Sequence, residues 1–303
     1  MTTEPTVRDV ATGLRFPEGP IAMPDGSVVL VEIHRGTLSR ATADGTVEVV
    51  AELGGGPNGA AIGPDGAVYV CNNGGFVWTE LGDMLIPMEL ETMSSEPPNF
   101  EGGWIERVEL ETGKATTLYR GCEGQRFCSP NDIVFDADGG FWFTDLGKTR
   151  PRALDRGGLY YARPDGSSVT EVAFPLLGAN GVGLSPAGDR VYVAESYTGR
   201  LWAWDVEGPG RVRDRRGTCV LATTGHFDSL AVEADGTVVI AAIGAGLCCY
   251  HPDGTHEFVA MPDPFTTNVC FGGPDRRTAF VTLSGGGRLV AADWPRPGLE
   301  LNF

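Results

Sequence analysis

One short pattern recurs six times along the chain and constrains the fold more than any other feature. A strand-like apolar run, a turn that usually contains Asp-Gly, and a second apolar run follow one another, as in NDIVFDADGGFWFTD at 131–145. The turns fall at positions 25, 65, 138, 188, 235 and 275. Because β-branched and aromatic runs around an Asp-Gly turn are typical of β-hairpins, the chain predicts six hairpin-containing units.

The spacing of these units predicts a β-propeller. The turns are 40, 73, 50, 47 and 40 residues apart, and propeller blades of four strands repeat at about 40–50 residues. Short strands, glycine-rich turns and few helix-period runs favour an all-β fold. We therefore expect one domain over residues 1–303, a six-bladed β-propeller with four-stranded blades. The last unit lacks an outer strand, which segment 6–11 would supply, so that an N-terminal strand closes the ring.

The 73-residue interval contains one blade and an insertion of about residues 79–103, between Trp78 and Trp104. The insertion is rich in methionine, proline and acidic residues. Long loops in compact domains are often functional. The segment is therefore interpreted either as a lid or rim over one face of the propeller or as a passive surface excursion.

A carboxylate or amide side chain precedes each turn at almost the same distance. The distance is seven residues in five units and eight in one, and the residues are Glu18, Asn58, Asn131, Asn180, Asp228 and Asn268. If the hairpin forms the inner half of each blade, these side chains surround the mouth of the central channel. A single asparagine at a strand start is usually a turn cap, and Asn58 and Asn268 keep that structural alternative.

Converging oxygen donors without cysteine or histidine indicate a site for a hard divalent cation. Glu18 and Asp228 would supply two negative charges. Asn131 and Asn180 would supply neutral oxygens. Asn58 and Asn268 would lie behind these ligands or touch substrate.

Two histidines lie near the predicted mouth of the channel. His34 follows the second strand of the first unit, and His226 precedes the first strand of the fifth. Either could bind substrate or transfer protons, and surface or packing roles are the alternative.

The composition limits the partners and the compartment. A formal net charge of −17 and a pI of about 4.6 argue against nucleic acid and anionic membranes. The N-terminus lacks a signal-peptide pattern, and no stretch approaches the ~20 apolar residues of a membrane span. Seven cysteines without a C-x-x-C pair favour buried thiols in a reduced cytoplasmic protein, although Cys122 and Cys128 could pair. We expect a monomer or weak homo-oligomer that acts on a small molecule.

Four short motifs carry a resemblance to a known family. They are FPEGP at 16–20, SPND at 129–132 leading to FTD at 143–145, ANGVGLS at 179–185, and FDSL at 227–230. In this order and spacing, the chain resembles the senescence marker protein, gluconolactonase and luciferin-regenerating enzyme family of six-bladed propellers over essentially its whole length. The SPND to FTD stretch is most similar to bacterial gluconolactonases.

This resemblance implies one catalytic divalent metal ion. Its ligands would be Glu18, Asn180 and Asp228, with Asn131 as a fourth ligand or a substrate contact. The resemblance also implies that Asp228 is the catalytic base or nucleophile. Ca²⁺ is the expected ion, with Mg²⁺, Mn²⁺, Zn²⁺ or Fe²⁺ as alternatives.

Two departures from the family pattern lie beside the candidate site. Cys128 stands where gluconolactonases often have Asn, and Leu146 follows Asp145 where many have Pro. The insertion after Trp78 is a third departure. All three concern the choice of substrate more than the metal site.

The leading hypothesis is a metal-dependent hydrolase that opens a lactone ring, with sugar-acid lactones as the default substrates. Asp228 would activate water or hold the attacking group, and Asn131 and Asp132 would position the ring. Asp145 is a further candidate substrate contact. Two alternatives stay open: a phosphotriesterase of the diisopropyl fluorophosphatase kind, and a non-catalytic propeller in which the metal only stabilises the channel of a binding platform.

Overall fold

Every regular element in residues 6–303, which the computed structural model describes, is a β-strand. No helix in this part of the chain is long and apolar enough to cross a membrane. The strands are, in chain order, β1 (Val7–Ala11), β2 (Pro17–Ala22), β3 (Val28–Glu32), β4 (Thr37–Ala41), β5 (Val47–Glu52), β6 (Pro57–Ile62), β7 (Val68–Asn72), β8 (Thr79–Leu81), β9 (Met84–Ile86), β10 (Trp104–Val108), β11 (Ala115–Tyr119), β12 (Gly121–Cys122), β13 (Gln125–Arg126), β14 (Pro130–Phe135), β15 (Phe141–Asp145), β16 (Thr149–Arg150), β17 (Ala153–Leu154), β18 (Gly157–Ala162), β19 (Val169–Leu176), β20 (Ala179–Leu184), β21 (Arg190–Glu195), β22 (Arg200–Gly208), β23 (Arg211–Val212), β24 (Thr218–Ala222), β25 (His226–Val232), β26 (Val238–Ile243), β27 (Gly246–Tyr250), β28 (His256–Val259), β29 (Thr266–Gly272), β30 (Thr278–Leu283) and β31 (Arg288–Asp293).

Six antiparallel sheets form the blades, one for each predicted hairpin. From the channel outwards, the strand orders are β2-β3-β4-β5, β6-β7-β10-β11, β14-β15-β18-β19, β20-β21-β22-β24, β25-β26-β27-β28 and β29-β30-β31-β1. The short strand β23 also pairs with β22 in the fourth blade. The innermost strands of neighbouring blades pack against one another around the ring. The predicted all-β fold and six-bladed propeller are therefore confirmed.

An N-terminal strand completes the last blade, as the sequence predicted. Strand β1 pairs antiparallel with β31, so that Val7 lies opposite Ala292. The Arg288 guanidinium forms a 2.7 Å ion pair with Asp9 across the two strands. Because both ends of the chain share one sheet, the ring closes and leaves only short strand edges open.

The apolar core is divided among the six interfaces between neighbouring blades. Each blade packs against two neighbours, so its second strand is covered on both faces. All five residues of β3 are buried, for example. Strands covered on both faces read as continuous apolar runs rather than as alternating patterns, which is why the hairpins were visible in the sequence. Aromatic packing is densest between the second and third blades, where the Tyr69 and Phe135 ring centroids lie 5.0 Å apart.

The Asp-Gly turns lie at one end of the blades, and in the first, second and fifth blades the turn aspartate accepts the N–H of the residue two positions further on. In the first blade, Asp25 Oδ1 accepts the N–H of Ser27 at 2.9 Å, the Asx-turn bond typical of such sites. Gly26 between them has a φ of 84°, a conformation that costs glycine little. In the sixth blade Arg276 adopts the corresponding positive φ of 55°.

The last ten residues, 294–303, cross the turn end of the channel. The N–H of Leu299 donates to the carbonyl of Val232 at 2.9 Å. Further along, Asn302 Nδ2 donates to the carbonyl of Phe135 at 2.9 Å. These carbonyls end the innermost strands of the fifth and third blades. The tail thus runs from the sixth blade across the turn end, and the two ends of the channel differ.

All seven cysteines carry free thiols, so the alternative pairing of Cys122 with Cys128 is not formed. Cys71, Cys122, Cys248 and Cys249 are buried. Burial raises the pKa of the Cys248 thiol to about 12, which keeps it neutral. The buried thiols therefore act as small apolar side chains in the core.

Candidate functional site

The six predicted polar residues lie at the other end of the innermost strands, opposite the Asp-Gly turns. Five of them are at most 5% exposed, and Asp228 is partly exposed. They occupy the second or third position of these strands: Glu18 of β2, Asn58 of β6, Asn131 of β14, Asn180 of β20, Asp228 of β25 and Asn268 of β29. Because these six strands surround the channel, we call these residues the channel ring.

A β-bulge accompanies the channel ring in every blade. In the third blade, the pairing passes from Pro130 opposite Asp145 to Ile133 opposite Phe143, so that two residues face one. A register shift occurs at the corresponding position between the first two strands of the other five blades. A bulge adds one residue and re-aims a side chain. The common phase of the polar residues in the sequence therefore reflects a common backbone feature.

Glycine follows the ring residue in three blades because the next blade lies too close for a side chain. A Cβ added to Gly59 would lie 2.3 Å from the carbonyl oxygen of Asn131. One added to Gly181 would lie 2.8 Å from the carbonyl oxygen of Asp228. Contacts this short exclude any side chain unless the blades move apart. The glycines therefore allow neighbouring ring residues to approach one another.

Asp132 stands where the neighbouring blades have these glycines. Its Oδ1 accepts the N–H of Ile133 at 2.9 Å, and its Oδ2 accepts the N–H of Val182 in the next blade at 3.3 Å. Burial, and then the charge of Glu18, raise the pKa of Asp132 to about 7. Asp132 thus ties the third blade to the fourth just below the channel ring. Its predicted contact with substrate stays a prediction.

Glu18 and Asp228 are the two acidic members of the ring, and both are placed where negative charge is costly. Glu18 Oε2 accepts Nδ2 of Asn268 at 2.7 Å and the N–H of Gly19 at 2.9 Å. Burial raises the pKa of Glu18 in spite of these bonds. Burial, and then the nearby charge of Glu18, raise the pKa of Asp228 well above its ordinary value. A bound cation would remove this penalty, because it favours the charged form of both groups.

Two amide oxygens of the ring are buried without a hydrogen-bond partner. They are Oδ1 of Asn131 and Oδ1 of Asn180, although Asn180 Nδ2 donates to Ser196 Oγ at 3.1 Å. An unpaired buried acceptor costs roughly 1–3 kcal/mol, so a ligand that pairs with both oxygens would be stabilising. No three His, Cys, Asp or Glu side chains are grouped for a metal within residues 6–303. Two carboxylates and two amide oxygens nevertheless form the all-oxygen donor set that hard divalent cations prefer, and these residues fit such an ion.

Asn58 and Asn268 occupy the remaining ring positions. Asn268 donates to Glu18, and its own Oδ1 accepts the N–H of Val269 at 2.8 Å. Both polar atoms of Asn268 are thus engaged, and it positions the Glu18 carboxylate. Asn58 is 5% exposed on β6. A substrate contact through either residue stays a prediction.

Asp145 has a structural role that the sequence did not reveal. Its carboxylate accepts the N–H groups of Cys128 at 2.8 Å, Ser129 at 2.7 Å and Gly147 at 3.0 Å. It therefore fixes the loop that leads into β14 and Asn131. Its predicted contact with substrate stays a prediction.

The same hydrogen-bonded arrangement recurs in three other blades. The residue that ends the second strand accepts an N–H from the segment leading into the innermost strand. The pairs are Glu32 with Arg15 at 2.8 Å, Asn72 with Gly56 at 2.8 Å, and Glu195 with Leu177 at 2.7 Å. The recurrence of Asp, Glu or Asn at this position was the available signal in the sequence.

The two candidate histidines lie in different surroundings. His34 is half-buried beside Trp78, which directly precedes the insertion, with ring centroids 4.9 Å apart. Burial and then the positive charge of Arg15 lower the pKa of His34. His226 is exposed, and its ring centroid lies 6.4 Å from that of Tyr197. Substrate binding by either histidine stays a prediction.

The insertion of about residues 79–103 crosses the ring end of the propeller, and together with residues 74–78, which lead into it, we call it the strap. At one side the N–H of Leu85 donates to the carbonyl of Gly285 in the sixth blade at 3.1 Å. At the other, the N–H of Ser95 donates to the carbonyl of Thr149 in the third blade at 3.1 Å. The third and sixth blades face each other across the ring. This geometry favours the lid or rim interpretation over a passive excursion.

A buried lysine binds the first residues of the strap. Lys148 is fully buried, and its Nζ donates to the carbonyl of Gly75 at 2.7 Å. The ammonium lies 3.8 Å from the ring centroid of Phe76 and 5.1 Å from that of Phe100, a cation–π arrangement. Burial lowers the pKa of Lys148 to about 7. No pattern in the sequence marked this residue, although it is one of only two lysines in the chain.

We expect Lys148→Met to remove part of the pH dependence of stability. An unfolded lysine has a pKa of about 10.4, so between pH 7 and 10 the unfolded chain binds more protons at this site than the folded one. The wild-type free energy of unfolding therefore rises with pH through this window, on the order of 3 kcal/mol from this group.

Urea unfolding at pH 7 and pH 9.5 measures this difference. The matched control is Lys114→Met, which changes the other lysine, an exposed one. The control should keep the wild-type pH dependence. An equal pH dependence in wild type and Lys148→Met would contradict the prediction.

Comparison with known proteins agrees with this architecture. The family model described as SMP-30/Gluconolactonase/LRE-like region matches residues 16–285. "Lactonase drp35" of Staphylococcus epidermidis is 28% identical over 254 residues, which cover 81% of this chain and 69% of that protein. The gluconolactonase of Zymomonas mobilis is 23% identical over 307 residues, which cover 91% of this chain and 78% of that protein.

A solved structure shares the whole fold. The calcium-binding protein regucalcin of Agrobacterium tumefaciens superposes with a TM-score of 0.73 at 20% identity, covering 98% of both chains. The family model spans five complete blades and the two inner strands of the sixth, and it includes every member of the channel ring. The chain belongs to the SMP-30, gluconolactonase and luciferin-regenerating-enzyme-like family.

Proposed function

We propose that this protein is a metal-dependent lactonase, a hydrolase that opens the ring of a small lactone. The observation that carries the proposal is the mixed donor set of the channel ring. Two carboxyl groups with raised pKa values, those of Glu18 and Asp228, lie in one ring with two unpaired amide oxygens. Relatives named lactonase and gluconolactonase support the reaction class.

Glu18, Asn131, Asn180 and Asp228 would hold the ion, and Ca²⁺ is the ion we propose first because all four donors are oxygens. When bound, such an ion would supply Lewis-acid stabilisation of negative charge on the lactone oxygen. A calcium-binding relative with the same fold is in keeping with this choice.

The chain's own residues would supply the remaining chemistry. Asp228 takes the proton of the attacking water as general base and returns it to the ring oxygen when the acyl C–O bond of the lactone breaks. Asn131 orients the lactone ring. Asp132, held by the N–H groups of Ile133 and Val182, keeps the bulge that carries Asn131 in place.

Removal of the metal tests the proposal directly. We expect a chelator to lower the hydrolysis of glucono-1,5-lactone, followed by pH-stat titration, by at least about a hundredfold, since charge stabilisation of this kind contributes on that order. Readdition of Ca²⁺ should restore turnover. Magnesium, manganese, zinc and ferrous ions, tested in parallel, identify the preferred ion.

Other outcomes of the same screen would favour the alternatives. If no lactone in a panel is hydrolysed with any metal, the proposal is wrong. Organophosphate turnover far above lactone turnover would identify a phosphotriesterase instead. Tight metal binding without turnover of either class would identify a binding propeller.

We also propose that the protein works in the cytoplasm as a monomer or weak homo-oligomer. The channel ring lies within six strands, and the strap crosses the propeller at the same end. Such a site suits a small molecule. The net charge of −17 disfavours nucleic acid and anionic membrane surfaces as partners.

A further inference from the structure

An apolar cluster stands beside the channel ring, between the strap and the first and sixth blades. We call it the entrance cluster, and its members are Phe16, Ile33, Phe76, Trp78, Leu85 and Phe265. Phe16 lies two residues before Glu18, and Phe265 lies three residues before Asn268. Since Glu18 and Asn268 are hydrogen-bonded to each other, the cluster adjoins that side of the ring.

Trp78 is the member that joins the strap to the propeller at this point. Its ring centroid lies 5.1 Å from that of Phe16, 4.9 Å from that of His34 and 6.0 Å from that of Phe76. Phe16 and Leu85 are the buried members of the cluster on either side, whereas Trp78 keeps part of its surface exposed. Trp78 is thus a partly exposed aromatic side chain beside the part of the propeller that carries Glu18 and Asn268.

The residues on either side of Trp78 are held in place. The N–H of Val77 donates to the carbonyl of Ser95 at 3.2 Å. Thr79 Oγ1 donates to the carbonyl of Met88 at 2.8 Å. An aromatic side chain on a fixed backbone presents a defined surface, which is what selection among substrates requires.

The chemistry of this surface separates two classes of lactone. A sugar lactone carries a hydroxyl on most of its carbons, and each hydroxyl loses hydrogen bonds when it is placed against an apolar face. An alkyl substituent instead gains from the same contact, roughly in proportion to the area it buries.

We propose that Trp78 is a specificity-determining residue and that the site takes lactones with an apolar substituent in preference to sugar lactones. This inference rests on the proposed lactonase function. The substituent lies along Trp78 and Phe265 while the ester group meets the channel ring. The strap thus covers the ring end of the propeller and also supplies part of the binding site.

The test compares δ-decalactone, which has an alkyl substituent, with glucono-1,5-lactone in the metal-loaded full-length protein. Wild type should show the higher kcat/KM for δ-decalactone. Trp78→Ala should lower that value about tenfold, mainly through KM, in line with the loss of a few apolar contacts. It should change the value for glucono-1,5-lactone less than about twofold, and Trp78→Phe should retain most of the preference.

Two control variants separate binding from strap anchoring. Leu81 lies on the same hairpin and is 60% exposed, so Leu81→Ala should leave both lactones unchanged. Leu85 is 4% exposed within the cluster, so Leu85→Ala loosens the strap without removing the exposed face and should affect both lactones alike.

Several results would overturn the inference. One is a wild type that prefers glucono-1,5-lactone. Another is a Trp78→Ala variant that loses activity equally on both lactones, as Leu85→Ala does, because Trp78 would then only anchor the strap. Absence of turnover on these two lactones and on the rest of the lactone panel would instead overturn the proposed function, and this inference with it.

Discussion

The Asp228→Asn variant should hydrolyse lactones at least about a hundredfold more slowly than the wild type, the low end for loss of a general base. Asparagine keeps the size of the side chain and one oxygen that can act as a ligand. It cannot accept the proton of the attacking water. The loss should therefore appear in kcat, measured by pH-stat titration at a metal concentration that saturates the variant.

The matched control for this variant is Asp235→Asn. Asp235 lies on the same blade at the turn end, where its Oδ1 accepts the N–H of Thr237 at 2.8 Å. The same chemical change there should leave kcat/KM unaltered. A stable, metal-loaded Asp228→Asn protein that keeps wild-type activity would show that Asp228 is not the base.

Glu18→Gln should affect the metal-free and the metal-loaded protein in opposite directions. Without metal, burial raises the pKa of Glu18, and its charge raises the pKa values of Asp228 and Asp132. Removal of that charge relieves the repulsion, so the melting temperature in chelator should rise by a few degrees, as roughly 1 kcal/mol would produce. With metal, the site loses one of its two anionic ligands, and the Ca²⁺ affinity should fall on the order of a hundredfold.

Melting curves in chelator and in excess Ca²⁺ measure both effects, because ligand that binds only the folded state raises the melting temperature. Glu48→Gln, an exposed position on β5 of the same blade, serves as control and should change neither value. A Glu18→Gln protein that is less stable in chelator and responds normally to Ca²⁺ would contradict the proposed site.

The features that repeat in every blade could be predicted from the sequence. The hairpins were visible because both faces of each second strand are buried, so the strands appear as apolar runs. The channel ring was visible because one bulge recurs at one position in six sheets. Segment 6–11 was assigned to the last blade by counting strands, and β1 confirms it.

The features that occur once could not be predicted in this way. Lys148 contacts Gly75 and Phe76, more than seventy residues away in the chain, and nothing local in the sequence marks such a pair. The path of the strap from the sixth blade to the third depends on equally distant contacts. Asp145 lies between these two groups of features. Its type and position recur in other blades and were visible in the sequence, but its hydrogen bonds hold the loop before β14 and do not reach the channel.

The C-terminal tail over the turn end bears on how fast the site exchanges its contents. Because the chain crosses that end, the proposed substrate, product and metal ion would enter and leave at the ring end, which the strap crosses. An ion bound by the channel ring would then exchange with chelator past the strap, so its loss would depend on a rate as well as on affinity. Brief chelation would then leave the protein loaded. Experiments on the metal-free form accordingly require long incubation, with the metal content measured at each time point.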